Sequence, residues 1–279
     1  MIALSALALT ALLALPSCAE PAAPLRAQGG APPPAAAAEE FDQTHALWAA
    51  VLKAHVHDDR FDYAKLKAEP AQLDQYLKAL AGVDPKELAA WTREQRYAFW
   101  INAYNAFTIK KVVSNYPLKS IKDLDGALGL KSVFDDAFIA LPGLHPEGKD
   151  ERLSLNDIEN GILRPEFKDA RVHAAINCAS ISCPALSSEA FVADKLGKQL
   201  EERMRAFLAD ARRNRFDAGK GRAEVSEVFK WFKEDFERDA GGVREFLLRF
   251  APKEAQELLK TAKLEHLDYD WSLNDVERG

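Results

Sequence analysis

The stretch that most constrains this chain is Tyr97-Ala-Phe-Trp-Ile-Asn-Ala-Tyr-Asn-Ala-Phe107, which is apolar almost all the way round a helical wheel. A helix without a polar face must be covered on every side, so it belongs at the centre of the fold. Thr92-Arg-Glu-Gln95 reads as a capping box, with Thr92 as N-cap and Gln95 three residues on, and predicts a helix over Arg93–Ser114. Asn102 and Asn105 interrupt its apolar surface on one side. A buried amide left without a partner costs on the order of 1–3 kcal/mol, so something must meet each of them. Two roles stay open: fastening backbone inside the core, or lining a site in which a carboxamide orients an imidazole.

The segments around this helix predict an α+β fold. Apolar spacing predicts helices over Phe41–His57, Leu73–Ala81, Ala190–Arg212, Phe229–Ala240 and Val243–Lys260. Strands are expected over Val133–Leu141 and Leu264–Asp270, with a hairpin joining Arg215–Asp217 to Arg222–Val225. Ser154-Leu-Asn-Asp157 caps a short helix expected to stop before Pro165. Roughly 240 residues follow Glu39, enough for one large core, and residues 41–275 are expected to form a single globular domain.

The beginning of the chain reads differently. Met1–Leu15 is a nearly unbroken apolar run, too short for a comfortable membrane span and suited to a secretory leader over residues 1–18. Cys18 follows a small residue, as in a bacterial lipobox, which is the favoured reading; Ser17-Cys-Ala19 could instead be a cleavage site. Residues 19–40 form an Ala/Pro tract expected to be a disordered tether. The expectation is a domain on the periplasmic side of a bacterial cell envelope, held to the membrane by lipid on Cys18, or secreted. A net charge of −6 without a basic patch argues against a nucleic-acid partner. Arg212-Arg213-Asn-Arg215 reads as a solvated turn, and no cofactor is expected. Nothing in the sequence speaks to oligomeric state.

Chemistry-bearing residues concentrate in Arg171-Val-His-Ala-Ala-Ile-Asn-Cys-Ala-Ser-Ile-Ser-Cys-Pro184. Alternation through Val172, Ala174 and Ile176 predicts a strand ending near Asn177 and opening into a loop that carries Ser180. His173 is either a satisfied core residue or a general base. Of three cysteines in the chain, Cys178 and Cys183 remain if Cys18 is lipidated or removed. An even pair in an exported protein favours a Cys178–Cys183 disulfide. The competing reading is a Cys178 thiol activated by His173, with a metal role a weaker third. Glu159 either pairs with Arg164 at the surface or orients His173 as an acid. His55-Val-His57 reads as a solvated helix end, although an extended pair at that spacing could bind a metal; no metal is expected.

Phe99–Ala106, Leu155–Pro165, His173–Pro184, Val225–Trp231 with Asp235-Phe236, and Leu267–Asn274 together resemble the domain of unknown function 547 family. The resemblance runs in order from Phe41 to Asp275. It implies a papain-like core, a buried central helix against a small antiparallel sheet with peripheral helices. The group order departs from papain-like enzymes, since the central helix offers asparagines and the histidine precedes the cysteine. The family's usual Glu-His is Glu159-Asn160 here. These readings converge on His173, Cys178, Glu159 and Asn105 as candidate catalytic residues, with Asn102, Arg164, Asn177 and Ser180 as candidate binding residues. The function expected is thiol-dependent amide hydrolysis or acyl transfer on a peptide-like substrate. The alternative is a non-catalytic module that binds a peptide or envelope polymer and is stapled by Cys178–Cys183.

Overall fold

The capping box closes in both directions: Thr92 Oγ1 accepts from the Gln95 amide and Gln95 Oε1 accepts from the Thr92 amide. The helix it starts runs Arg93–Asn115, and every residue from Tyr97 to Ile109 is buried. The structure, a computed structural model, describes residues 40–145 and 152–276. The expected leader, tether and Cys18 lie outside the described residues.

In chain order, α1 (Ala46–His55), the two-residue strands β1 (Val56–His57) and β2 (Arg60–Phe61), α2 (Tyr63–Ala68), α3 (Ala71–Ala81) and α4 (Pro85–Ala90) precede the central α5 (Arg93–Asn115). The antiparallel pair β3 (Ile139–Ala140) and β4 (Arg152–Leu153) and the short α6 (Leu155–Ile158) follow. Then come α7 (Leu196–Ala209), the hairpin β5 (Arg215–Asp217) and β6 (Arg222–Val225), and α8 (Val228–Trp231). Helices α9 (Lys233–Ala240), α10 (Val243–Phe250) and α11 (Lys253–Thr261) lead to β7 (Lys263–His266). The fold is α+β. Among the described residues no helix is long and apolar enough to cross a membrane.

Helices α2, α3 and α6 pack around α5, and the three-stranded sheet instead contacts α11. That sheet is mixed, with β5–β6 antiparallel and β6–β7 parallel. The expected arrangement of α5 against an antiparallel sheet is therefore corrected: its all-round apolar surface is met by the apolar faces of helices. Two hydrophobic cores result, one around α5 and one joining α7, α9 and α10 to β6.

The expected strand at Arg171–Asn177 is a 3-10 turn over Ala170–Ala174, capped by Asp169 and closed by the Ala175 amide on Val172 O at 2.8 Å. Its apolar residues divide between the cores, Val172, Ala175 and Ile176 facing one and Ala170 and Ala174 the other. Alternation seen along the sequence is in fact a seam between two cores. The helix expected to end before Pro165 continues as a π-helix over Glu159–Phe167 with Pro165 inside it. In place of a strand over Val133–Leu141 there is a 3-10 turn at Val133–Asp135, followed by β3. The helix expected from Ala190 begins at Leu196. From inside that helix, Gln199 reaches back to the backbone of Ala190 and Val192 and holds that stretch irregular.

Candidate functional site

The 3-10 turn carries His173 to the seam, where the imidazole lies flat on Phe232, ring centroids 3.9 Å apart and planes 18° from parallel. Its Nε2 meets Asp235 Oδ2 at 2.8 Å, and its Nδ1 is 3.8 Å from Glu159 Oε1. Asp235, on α9, also receives Arg164 Nε at 2.6 Å and Arg238 Nη1 at 2.8 Å. Burial works against ionising Asp235, yet the hydrogen bonds from His173 and Arg164 hold its carboxyl well below the usual range. Burial lowers the His173 pKa and the Asp235 hydrogen bond only partly restores it. A neutral imidazole therefore donates Nε2–H to an ionised Asp235 and turns its Nδ1 lone pair toward Glu159.

Glu159 is buried at the point where α6 gives way to the π-helix. Burial pushes its carboxyl up to about 7, against a hydrogen bond from Tyr104 Oη to Oε2 at 3.2 Å. The charge on Cys178 raises it further. A carboxyl in that range can hold or release a proton at neutral pH. The expected Glu159–Arg164 surface pair is not formed; Arg164 goes to Asp235.

Cys178 begins the loop after the turn, and both it and Cys183 are free thiols. The expected disulfide is absent, although the Cys178 amide donates to Cys183 Sγ at 3.0 Å. Cys178 Sγ touches Ser180 Oγ at 3.1 Å and Tyr269 Oη at 3.2 Å, and those two hydroxyls are themselves 3.1 Å apart. Burial disfavours the thiolate, but contacts from Cys183, Ser180 and Tyr269 outweigh it and bring the Cys178 pKa below that of an ordinary thiol. Burial and the neighbouring Cys178 push the Cys183 thiol up.

The loop is clamped rather than free. Asn105 donates from Nδ2 to Ala175 O at 2.9 Å and accepts at Oδ1 from the Asn177 amide at 2.8 Å. Asn177 spans the loop base, donating to Pro184 O at 2.8 Å and accepting from the Ala179 amide at 2.8 Å. Asn102 grips both backbone groups of Phe191, so neither asparagine of α5 orients the imidazole. The candidate catalytic role of Asn105 becomes a positioning role, because its amide is consumed by backbone. Arg213, expected in a solvated turn, is buried and donates to Cys183 O at 2.6 Å and Ile181 O at 2.7 Å. The turn tightens at Ala179, whose φ of 64° is costly for a residue with a Cβ. Beyond it, Ile181 and Ser182 donate backbone hydrogen bonds to Ser272 and Asp270, in the stretch that brings Tyr269 to the thiol and Trp271 to the same cavity.

A cavity of about 150 Å³ opens on this arrangement, lined among others by Glu159, His173, Cys178, Cys183, Tyr269 and Trp231. Trp231, 44% exposed, packs with Tyr269 and Trp271 as an aromatic wall at its mouth. Residues 88–208 match the family described as Protein of unknown function, DUF547. This supports the family resemblance read from the sequence. The DUF547 match contains Glu159, His173, Cys178 and Cys183 and ends before Asp235 and Tyr269. No curated protein and no solved structure matches the chain.

Where the DUF547 pattern commonly has a histidine, Asn160 is exposed and bonds Asn156 and Arg164. The departure therefore falls outside the cavity lining. Residue patterns in the sequence assign no role to Asp235, Tyr269, Tyr104 or Arg213. Asp235 and Tyr269 do lie within the resembling segments, and Asp235 has Arg238 one turn on, which is the signal that could have marked it. His55, expected to be solvated, is buried at the end of α1. Among the described residues no cluster of three or more His, Cys, Asp and Glu could hold a metal.

Proposed function

We propose that this chain is an exported, envelope-anchored domain whose cavity performs thiol-dependent acyl transfer or amide hydrolysis on a peptide-like substrate. The observation that carries this reading is the free Cys178 thiol sharing one cavity with Glu159 and with a His173 fixed by Asp235. The Cys178 thiolate attacks the substrate carbonyl, and its lowered pKa supplies that thiolate near neutral pH. Glu159, protonated in the resting site, donates to the leaving amine as the acyl–sulfur bond survives and the C–N bond breaks. The Glu159 carboxylate so formed takes a proton from the water, or acceptor nucleophile, that releases the acyl group. His173, held by Asp235, turns its Nδ1 lone pair toward Glu159 and so favours the protonated carboxyl that the first step uses. The histidine thus serves as a positioning residue, and the acid–base work moves to Glu159. Histidine before cysteine, with no cysteine on α5, is not a papain-like order, so the reading rests on the chemistry of the cavity and not on fold analogy.

The exposed aromatic wall favours a second reading, a module that binds a peptide or envelope polymer without turning it over. One experiment separates the two. The purified protein is mixed with an N-acyl peptide thioester, and intact mass and peptide mapping follow the acyl group. Acyl transfer predicts an adduct on Cys178 that Cys178→Ala abolishes and Glu159→Gln stops from turning over. Binding with no adduct in the reduced protein establishes the non-catalytic reading instead.

A further inference from the structure

Acyl transfer requires one thiol, and the cavity holds two. Cys183 is buried, and its sulfur accepts the amide hydrogen of Cys178 at 3.0 Å. With an N–Cα bond of about 1.46 Å, that sulfur lies within about 4.5 Å of the Cys178 Cα. This is the neighbourhood from which a disulfide closes by side-chain rotation. The backbone keeps it there: Ala179 turns through the left-handed region, the Cys183 amide donates to Ser180 O at 3.2 Å, and Arg213 holds the Ile181 and Cys183 carbonyls. A buried cysteine that merely filled space would need none of this alignment.

We propose that Cys178 and Cys183 form a hydroperoxide-reducing thiol pair, in which Cys178 is oxidised first and Cys183 resolves it as an internal disulfide that reversibly shuts the site. The oxidant is hydrogen peroxide or a small alkyl hydroperoxide, which a cavity of about 150 Å³ admits. The Cys178 thiolate attacks one peroxide oxygen, forming an S–O bond as the O–O bond breaks. The departing hydroxide or alkoxide takes a proton from the Glu159 carboxyl. Ser180 Oγ and Tyr269 Oη, each about one hydrogen bond from the sulfur, hold the oxygens through the exchange. The Cys183 sulfur then attacks the sulfenic sulfur; the S–S bond forms, the S–O bond breaks, and the hydroxide leaves as water with the Cys183 proton. Two thiols and one hydroperoxide give one disulfide, one water and one water or alcohol. The sulfenic stage is otherwise open to irreversible sulfinic acid, and a resolving thiol in contact prevents that. The proposal shares with the acyl-transfer reading the exposure of Cys178 to the cavity and does not depend on acyl chemistry.

The test uses the full chain, reduced and desalted, then treated with one equivalent of hydrogen peroxide and analysed by intact mass, thiol titration and peptide mapping. The expected result is a loss of two hydrogens mapped to Cys178–Cys183, reversed by dithiothreitol, with acyl-adduct formation lost and restored in step. Cys183→Ser should instead gain one oxygen on Cys178, trappable by dimedone, and a second oxygen when several further equivalents of peroxide are added. Its dithiothreitol-recoverable fraction is then at least about tenfold lower than that of wild type treated alike. Acyl-adduct formation by the fully reduced wild type, measured before any peroxide is added, separates failure of the pair from failure of the acyl-transfer reading. Wild-type protein that gains oxygens on Cys178 while Cys183 stays titratable overturns the proposal, as does peroxide consumption unchanged by Cys178→Ser. A disulfide without any acyl adduct leaves this proposal standing and overturns the other.

Discussion

His45 and His173 are both buried, both packed against aromatic rings, and both pushed by burial toward the neutral form. They end in different chemistry. His45 stands at the N-cap position of α1 without capping it through its side chain; its Nδ1 lies 2.7 Å from Tyr76 Oη, and its Nε2 has no hydrogen-bond partner among the described residues. Its ring is closed in by the α5 core. His173 has an ionised carboxylate on one nitrogen, a protonatable carboxyl near the other, and a cavity beside it. Burial alone makes an inert histidine. What makes a candidate site is a second titratable group pushed the opposite way, and Glu159, raised while Asp235 is lowered, supplies it.

Removing the nucleophile should break the comparison most visibly. Cys178→Ala is expected to reduce acyl turnover by a factor on the order of 10⁴ or more, measured with the thioester probe, while His45→Phe leaves it unchanged. Next, Glu159→Gln should lower turnover by about 10²–10⁴ and remove the limb in which the rate falls as pH rises through about 7, leaving the rising limb set by the Cys178 thiolate. An unchanged profile would return the acid–base role to His173.

The two corners should also respond to pH with opposite sign. His45 falls from 6.5 to about 4 on folding, so the folded state binds fewer protons between those values. Its contribution is full above pH 6.5 and lost as pH falls toward 4, on the order of 3 kcal/mol. Glu159 rises from 4.5 to about 7, so its contribution is full below pH 4.5 and lost as pH rises through 7, again on the order of 3 kcal/mol. Denaturant melts across about pH 4–8 should show His45→Phe flattening the acid limb and Glu159→Gln flattening the neutral limb.

A smaller effect distinguishes the two asparagines of α5. Asn102→Leu and Asn105→Leu should each destabilise by about 1–3 kcal/mol through the backbone groups left unpaired. Asn105→Leu alone should slow Cys178 alkylation, because Asn105 holds the loop base at Ala175 and Asn177. Smallest of all, Tyr269→Phe should raise the Cys178 pKa by removing one hydroxyl from the sulfur, read from the pH dependence of iodoacetamide alkylation.

Patterns closed within a few residues are legible in the sequence. The capping box at Thr92, the all-round burial of Tyr97–Ile109, the β5–β6 hairpin and the need of Asn102 and Asn105 for partners are local or nearly local consequences of residue type. His173, Cys178 and Glu159 stand out as candidates by residue type and placement, and the fold brings them to one cavity. The strand expected at Arg171–Asn177 fails because alternation cannot tell a two-faced strand from a turn lying between two cores. Arg213 looks solvated in the sequence because the carbonyls it meets belong to a loop some thirty residues earlier in the chain.

The sequence by itself determined which helix is central, that its amides need partners, and where the polar groups concentrate. Hydrogen bonding within one turn and apolar periodicity have ranges of a few residues, so they can be read along the chain. Only the tertiary structure decided that His173 is held by Asp235, 62 residues away, and that Tyr269, 91 residues from Cys178, reaches its sulfur. It also decided that Glu159 is buried deeply enough to titrate near neutrality. Desolvation and the pairing of charges depend on what folds over a group, which no short stretch of sequence contains.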